Sequence, residues 1–284
     1  MNRKVKTLAA LAGGIAGIAG GAAMIGNLLW KRETGRAFDD LGPAPAASET
    51  PAFSSDALTG LPAPVVRYFQ FALTPGLPVR SRFTFEQEGE FRAGGFEAGW
   101  SPFTAEQRFS ARPPGFVWDA RIRMAPFMVV RVRDSYLHGT GSMRGRAAGV
   151  IPVVDQTGTP EIAAGALHRY LAEAVWFPTA LLPENGVSWE PIDDRSARAT
   201  LTDGATTVSL DFRFAESGEI VEAYTPARLR DVNGTGVPTP WLCSYRSYKE
   251  EEGMKIPAEG EVAWVLPEGK LPYWRGQVRL RSAR

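Results

Sequence analysis

The stretch ARATLTDGATTVSLDFRFAESGEI, Ala197 to Ile220, decides the fold class. Ala197, Ala199 and Leu201 take alternate positions and run into Asp203-Gly204, a pair that supplies the positive φ of a tight hairpin. Val208, Leu210, Phe212 and Phe214 then alternate with Ser209, Asp211 and Arg213, and Glu216-Ser217-Gly218 turns the chain toward Ile220. Period-two alternation gives each strand one apolar and one polar face, the mark of an antiparallel sheet covered on one side.

The same pattern recurs on both sides of this hairpin. Phe83 and Phe85 alternate with polar residues in Arg82 to Phe91. Phe116, Trp118, Ala120 and Ile122 alternate with Val117, Asp119, Arg121 and Arg123, behind a Pro113-Pro114-Gly115 turn. Met128, Val130 and Val132 repeat it, as do Val262, Trp264 and Leu266, and a last strand is expected between Tyr273 and Arg281. Two helices interrupt the strands. Val65, Phe69 and Leu73 line one face of a short helix entered at Pro64 and stopped by Thr74-Pro75-Gly76. A longer one opens with Thr159 as cap, Pro160 in the first helical position and Glu161 in the first turn, and Pro178 closes its reach. Leu167, Tyr170, Leu171, Ala174 and Phe177 form its apolar stripe. The reading is an α+β domain, predominantly antiparallel β-sheet, with one short and one longer helix. Such a sheet closed up becomes a half-barrel with an apolar concave side.

Ahead of this domain, Arg3, Lys4 and Lys6 precede an uncharged run from Thr7 to Trp30, 24 residues, which Lys31 and Arg32 close. About 20 apolar helical residues span a bilayer core. Residues 1–31 are therefore expected to form an N-terminal transmembrane helix, uncleaved, with Trp30 at headgroup level beside the basic pair. Gly13, Gly17 and Gly21 recur at four-residue steps, a spacing that lets a second helix approach and points to a helix-mediated homo-oligomer. The basic amino end biases the globular part to the extracytoplasmic side. Residues 32–60, rich in Pro, Ala and Ser, are expected to be a linker, and 61–284 a single globular domain.

Composition excludes several classes. Lys and Arg total 32 against 31 Asp and Glu, so no excess of positive charge advertises a nucleic-acid partner. One cysteine, Cys243, rules out a disulfide framework or a multi-cysteine metal site, and His138 and His168 alone leave little for a histidine-rich one. Gly139-Thr140-Gly141 lacks the third glycine of a dinucleotide loop, and no metalloprotease, Walker or nucleophile-elbow pattern occurs. No cofactor, metal or catalytic residue is assigned. Glu161, Arg169 and Glu173 form a ridge opposite the apolar stripe, expected to be a solvated face with an i,i+4 ion pair. Asp119, Arg121, Arg123, Arg131, Arg133 and Asp134 are expected to be the wet face of their strands. Asp193-Asp194 reads as a turn. Trp100, Trp118, Trp176, Trp189, Trp241, Trp264 and Trp274 all fall in the domain, enough rings to fill a core or line an apolar cavity.

LHRYLAEAVWFPTALLP (Leu167–Pro183), VSWEPIDDRSARATLTDG (Val187–Gly204), FVWDARIRMAP (Phe116–Pro126), PTPW (Pro238–Trp241) and EVAWVLPEGKLPYWRG (Glu261–Gly276) resemble a bacterial family known only as a domain of unknown function. The resemblance covers nearly all of Leu61 to Arg284 and carries over no activity or site. The strand-rich plan with its intervening helix is also similar, in architecture alone, to lipoprotein carriers of the LolA/LolB type, which implies an unclosed barrel with a helical lid.

These readings combine into one expectation. The chain is a membrane-anchored extracytoplasmic domain that binds a lipid or other apolar ligand without catalysis. Trp118, Tyr170, Phe177 and Trp264 are expected to line the site, with Arg169 at the ligand's head group. Alternatives are an envelope structural or interaction module with a filled core, and a hydrolase using Glu173 or Asp119 near His168.

Overall fold

The structure is a computed structural model that describes residues 3–43, 50–126 and 128–281, the side chains of 3–19 lying outside the described part. Helix α1 is Arg3–Asp39 and α2 is Ala63–Ala72. Strands β1 (Arg82–Phe91), β2 (Ser101–Ser110), β3 (Gly115–Ala125), β4 (Met128–Leu137), β5 (Thr140–Ala147) and β6 (Ile151–Thr157) follow. After α3 (Pro160–Glu173) come β7 (Val187–Asp193), β8 (Ser196–Asp203), β9 (Thr206–Phe214) and β10 (Ile220–Val232). The chain finishes with β11 (Thr235–Glu251), β12 (Met254–Leu266) and β13 (Gly269–Leu280).

All thirteen strands join one antiparallel sheet, in the order β6-β5-β4-β3-β2-β1-β13-β12-β11-β10-β9-β8-β7. Two meanders meet where β1 pairs with β13, with Gly89 opposite Gly276 and Phe91 opposite Trp274. Because β6 and β7 are the two outer edges, the segment between them must cross from one edge to the other, and α3 does so over the sheet's inner face. Gln156 of β6 donates to Asp231, beside the β10–β11 turn, at 3.2 Å, so the sheet coils far enough to bring these parts together. The β10–β11 register shifts between Thr225 and Arg228, where Pro226 cannot donate to the ladder.

The hairpin that decides the fold class forms as its sequence requires. Asp203 pairs with Thr206, Gly204 has φ +57°, and Val208, Leu210, Phe212 and Phe214 are buried. Thr159 caps α3, its hydroxyl accepting from the Ile162 amide at 3.3 Å. The Asp193 carboxylate accepts from the Arg195 amide, closing the expected turn.

The N-terminal region departs from expectation. Among the described residues no helix is long and apolar enough to cross a membrane. Gly13 and Gly17 of the four-residue spacing lie among the side chains outside the described part, while a Cβ at Gly21 would meet nothing within 4 Å. Trp30 is not a headgroup-level residue: it is fully buried against the sheet's outer face. Its indole nitrogen donates to Asp119 Oδ1 at 2.6 Å, and the Arg133 and Arg131 guanidinium groups stand 4.9 and 5.7 Å from its ring. Within the stretch expected to be linker, α1 continues to Asp39, Thr34 receives a hydrogen bond from Arg133, and Phe53 and Leu58 are buried. Residues 44–49 of that stretch lie outside the described residues.

The expected wet strand face is corrected for the same reason. Arg121 and Arg123 are exposed, but α1 covers Asp119, Arg131 and Arg133. Asp134 belongs to the other face, since it pairs with inward-facing Trp118.

Candidate functional site

Between the inner face of the sheet and the end of α3 lies a cavity of about 620 Å³, within the size range of small-molecule sites. Its walls are mostly apolar: Trp118, Trp176, Trp241, Trp264, Trp274 and Tyr273 supply the rings, with Ile122, Val132, Met143 and Val154 from β3 to β6 opposite them. Gly260 lines the cavity, and a Cβ there would lie 3.3 Å from the Trp274 ring and 3.6 Å from that of Trp176. Gly89, Gly276 and Gly260 stand side by side across β1, β13 and β12. A Cβ at Gly276 would come within 2.9 Å of the Glu88 carbonyl and 3.1 Å of the Trp274 ring. A second concavity of about 360 Å³, on the outer face, is walled by Glu86, Glu88, Glu106 and Arg279. Glu88 pairs with Arg279 and Glu106 with Arg281, and the concavity is a polar strand surface.

One continuous chain of hydrogen bonds runs along the inner wall. Trp118 Nε1 donates to Gln87 Oε1 at 2.8 Å, Gln87 Nε2 to Gln107 Oε1 at 2.6 Å, and Gln107 Nε2 to Glu173 Oε2 at 2.7 Å. Arg169 completes it, donating to Glu173 Oε1 at 2.9 Å and to Asp134 Oδ2 at 2.6 Å. The Arg169 guanidinium also lies 4.9 Å from the Trp118 ring and 5.0 Å from that of Phe116. Burial pulls the Arg169 pKa down, but the two carboxylates more than reverse it, and the guanidinium stays charged. Burial also lifts Glu173 above the usual carboxylate range, with Arg169 and Gln107 holding back part of the rise.

Among the described residues three wall groups have a buried nitrogen without a hydrogen-bond partner: Arg92 Nε and the indole nitrogens of Trp176 and Trp274. The indoles of Trp118 and Trp241, by contrast, donate to Gln87 and to the Tyr273 hydroxyl. An unmet buried donor costs about 1–3 kcal/mol. Cys243 also lines the cavity, but burial raises its thiol pKa far above neutrality, which leaves it a poor nucleophile.

Residues 59–280 match a family of unknown function, DUF6920. The chain belongs to this family. No curated protein matches it. Among solved structures it is similar to a LolA superfamily protein from Nitrosomonas europaea, at 9% identity over 77% of this chain and 90% of that one, with a TM-score of 0.36. A likeness of that degree carries no functional weight.

Of the residues singled out in this DUF6920 chain from sequence, Trp118, Arg169 and Trp264 are brought together at the cavity. Tyr170 and Phe177 are not: both are fully buried in the packed core, where the Phe177 ring lies 4.4 Å from Phe109 and 5.8 Å from Tyr170. The cause is the facing of α3. Its apolar stripe packs into the core, and the ridge of Arg169 and Glu173, expected to be solvated, points into the cavity with side chains only 15% and 13% exposed. The hydrolase arrangement does not assemble. Asp119 is on the outer face with Trp30 and Arg131, and Glu173 is held by Arg169 and Gln107. His168 Nδ1 donates to the Ala164 carbonyl at 3.0 Å.

Gln87 and Gln107 were not singled out in the sequence, while Asp134 was read as part of a wet strand face and Trp176 and Trp274 only as rings available to a core or a cavity. The glutamines carry a readable signal, because each takes an inward position in a strand whose large inward side chains are otherwise phenylalanines.

His168 gives a pH prediction. Burial first, then Arg228, pushes its pKa from 6.5 to about 4. Between these values the unfolded chain binds the proton more readily, so the stabilising contribution is complete above the unfolded value and disappears as pH falls toward about 4. His168→Gln is expected to remove this acid-side loss. The check is the urea midpoint of both proteins at about pH 7 and about pH 5; equal drops on acidification would contradict it.

Proposed function

We propose that this chain is a membrane-tethered, extracytoplasmic binding protein that holds a lipid or similar elongated apolar ligand in its inner cavity and does no chemistry on it. The observation that carries this reading is the pair of buried, unpartnered indole N–H donors, Trp176 and Trp274, in an otherwise ring-lined cavity of about 620 Å³. A filled interior would have favoured a structural module instead. Methylene groups entering such a space gain about 0.8 kcal/mol each, and a ligand ester or phosphate oxygen would satisfy the two donors. The tether rests on the uncharged run that begins at Thr7 behind Arg3, Lys4 and Lys6.

Native mass spectrometry of the full chain released from detergent, followed by extraction, tests the proposal. The expected result is a copurifying lipid of defined mass. An apo mass that persists after incubation with membrane lipids would remove the reading. Trp176→Phe and Trp274→Phe are expected to weaken lipid retention about tenfold while costing no hydrogen bond within the protein. Trp118→Phe, which strands Gln87 Oε1, is expected to lower stability instead.

A further inference from the structure

The exposed apolar side chains are not scattered. Among the described residues, every large one except Ile192 lies on α1 or at one end of the sheet. Met24, Ile25, Leu28 and Leu29 form the outward face of α1. Val150, Ile151 and Val153 stand at the β5–β6 turn. Met124 and Met128 flank the β3–β4 turn, Phe96 is in the β1–β2 loop, and Val232 and Val237 flank the β10–β11 turn. Strand register places these turns at the same end: Phe91 pairs with both Ser101 and Trp274, Phe103 with Ile122, and Val130 with Ala147.

This end is also where the cavity opens, since its lining includes Arg92 to Gly95 of the β1–β2 loop and Arg230 and Asp231 beside the β10–β11 turn. Helix α1 leads to the same place. Going backward along the chain, Phe38 meets Arg108, Trp30 meets Asp119, and Gly26 packs so closely on Gly149 and Val150 that a Cβ there would lie 2.4 Å from the Gly149 carbonyl. The chain ahead of Gly26 thus leaves the domain at the rim of the cavity mouth. From Gly26 back to Thr7 a helix rises about 28 Å, close to the ~30 Å of a bilayer core.

We infer that this rim rests on a lipid bilayer, with the turn side chains at the interface and the cavity mouth facing the membrane. Monomer surfaces rarely leave so much apolar area gathered in one place, and the uncharged run emerging from this rim identifies a bilayer as what covers it. The inference rests on the lipid reading of the cavity and adds the ligand's source: the lipid enters from the membrane beneath the mouth without crossing water.

The test uses the full chain reconstituted in phosphatidylcholine–phosphatidylglycerol vesicles that contain a shallow nitroxide-labelled lipid. Cys243 is buried, so an environment-sensitive thiol label goes to single introduced cysteines in Ile151→Cys, Met128→Cys and Ile192→Cys. All three parent side chains are exposed, so the fold tolerates the changes. The first two labels are expected to shift to the blue and lose most of their emission to the quencher, and the third to do neither. Emission at 151 and 128 as unquenched as at 192 overturns the inference. So does efficient crosslinking between two Ile151→Cys chains in detergent, which would give the rim to a second copy. A quenched rim on a chain that never yields bound lipid would instead sink the cavity reading and leave the docking intact.

Discussion

Replacing Arg169 with methionine is expected to cost about 3–5 kcal/mol of stability, read as a lower urea midpoint of the full chain. The methylene stem is kept, so the loss isolates the guanidinium. Glu173 and Asp134, whose side chains are 13% and 9% exposed, would then face each other without a cation between them. Glu173 already stands above the usual carboxylate range because it is buried, and Arg169 is the main influence opposing that rise. In the variant its folded-state proton affinity climbs further above the unfolded one. Stability of the variant therefore falls as pH rises beyond the ordinary carboxylate range and recovers on acidification. Adding Glu173→Gln in the Arg169→Met background should restore part of the loss. A cost under about 1 kcal/mol, the range of an exposed pair, would place the trio in solvent.

Trp30→Ala is expected to cost a similar ~3–5 kcal/mol, but in a different place. The ring is fully buried, bonded to Asp119 and flanked by Arg131 and Arg133, yet it lies on the outside of the sheet, away from the core. Asp119 keeps Arg131 at 2.9 Å when the indole goes. The loss should appear as detachment of α1: fast hydrogen exchange and protease cleavage between Gly26 and Leu41, with the urea transition of the sheet unchanged. Protection of that segment equal to the parent protein would show that Trp30 does not hold the helix.

What was legible in the sequence was whatever neighbouring residues decide. Asp203-Gly204 and the alternation around it set a hairpin, and Thr159-Pro160 starts α3, because turns and caps are built from adjacent residues. Strand β5 escaped this reading: its inward positions include Gly141 and Gly145, and a Cβ at Gly141 would lie 2.5 Å from the Ile162 carbonyl of α3. Close packing of the helix demands glycine there and erases the apolar signal. The ion pair of Arg169 and Glu173 was legible from its four-residue spacing, but its burial was not. That depends on Asp134 and Gln107, delivered by strands β4 and β2. Trp30 beside Lys31 and Arg32 reads locally as a membrane-interface residue, and only Asp119, 89 positions later, makes it a docking residue.

The pairing of β1 with β13 puts the first and last strands of the sheet at its centre. Glu88 meets Arg279 across 191 positions of chain. At about 5–20 residues per second of synthesis, Glu88 therefore waits roughly 10–40 s for its partner. Until then each meander has an open strand edge where the middle of the finished sheet will be, a site for pairing with other chains. Contacts this distant in sequence also close slowly. The centre of the sheet is thus the last part of it to be made, and a ribosome that stops before β13 releases two half-sheets without their common seam.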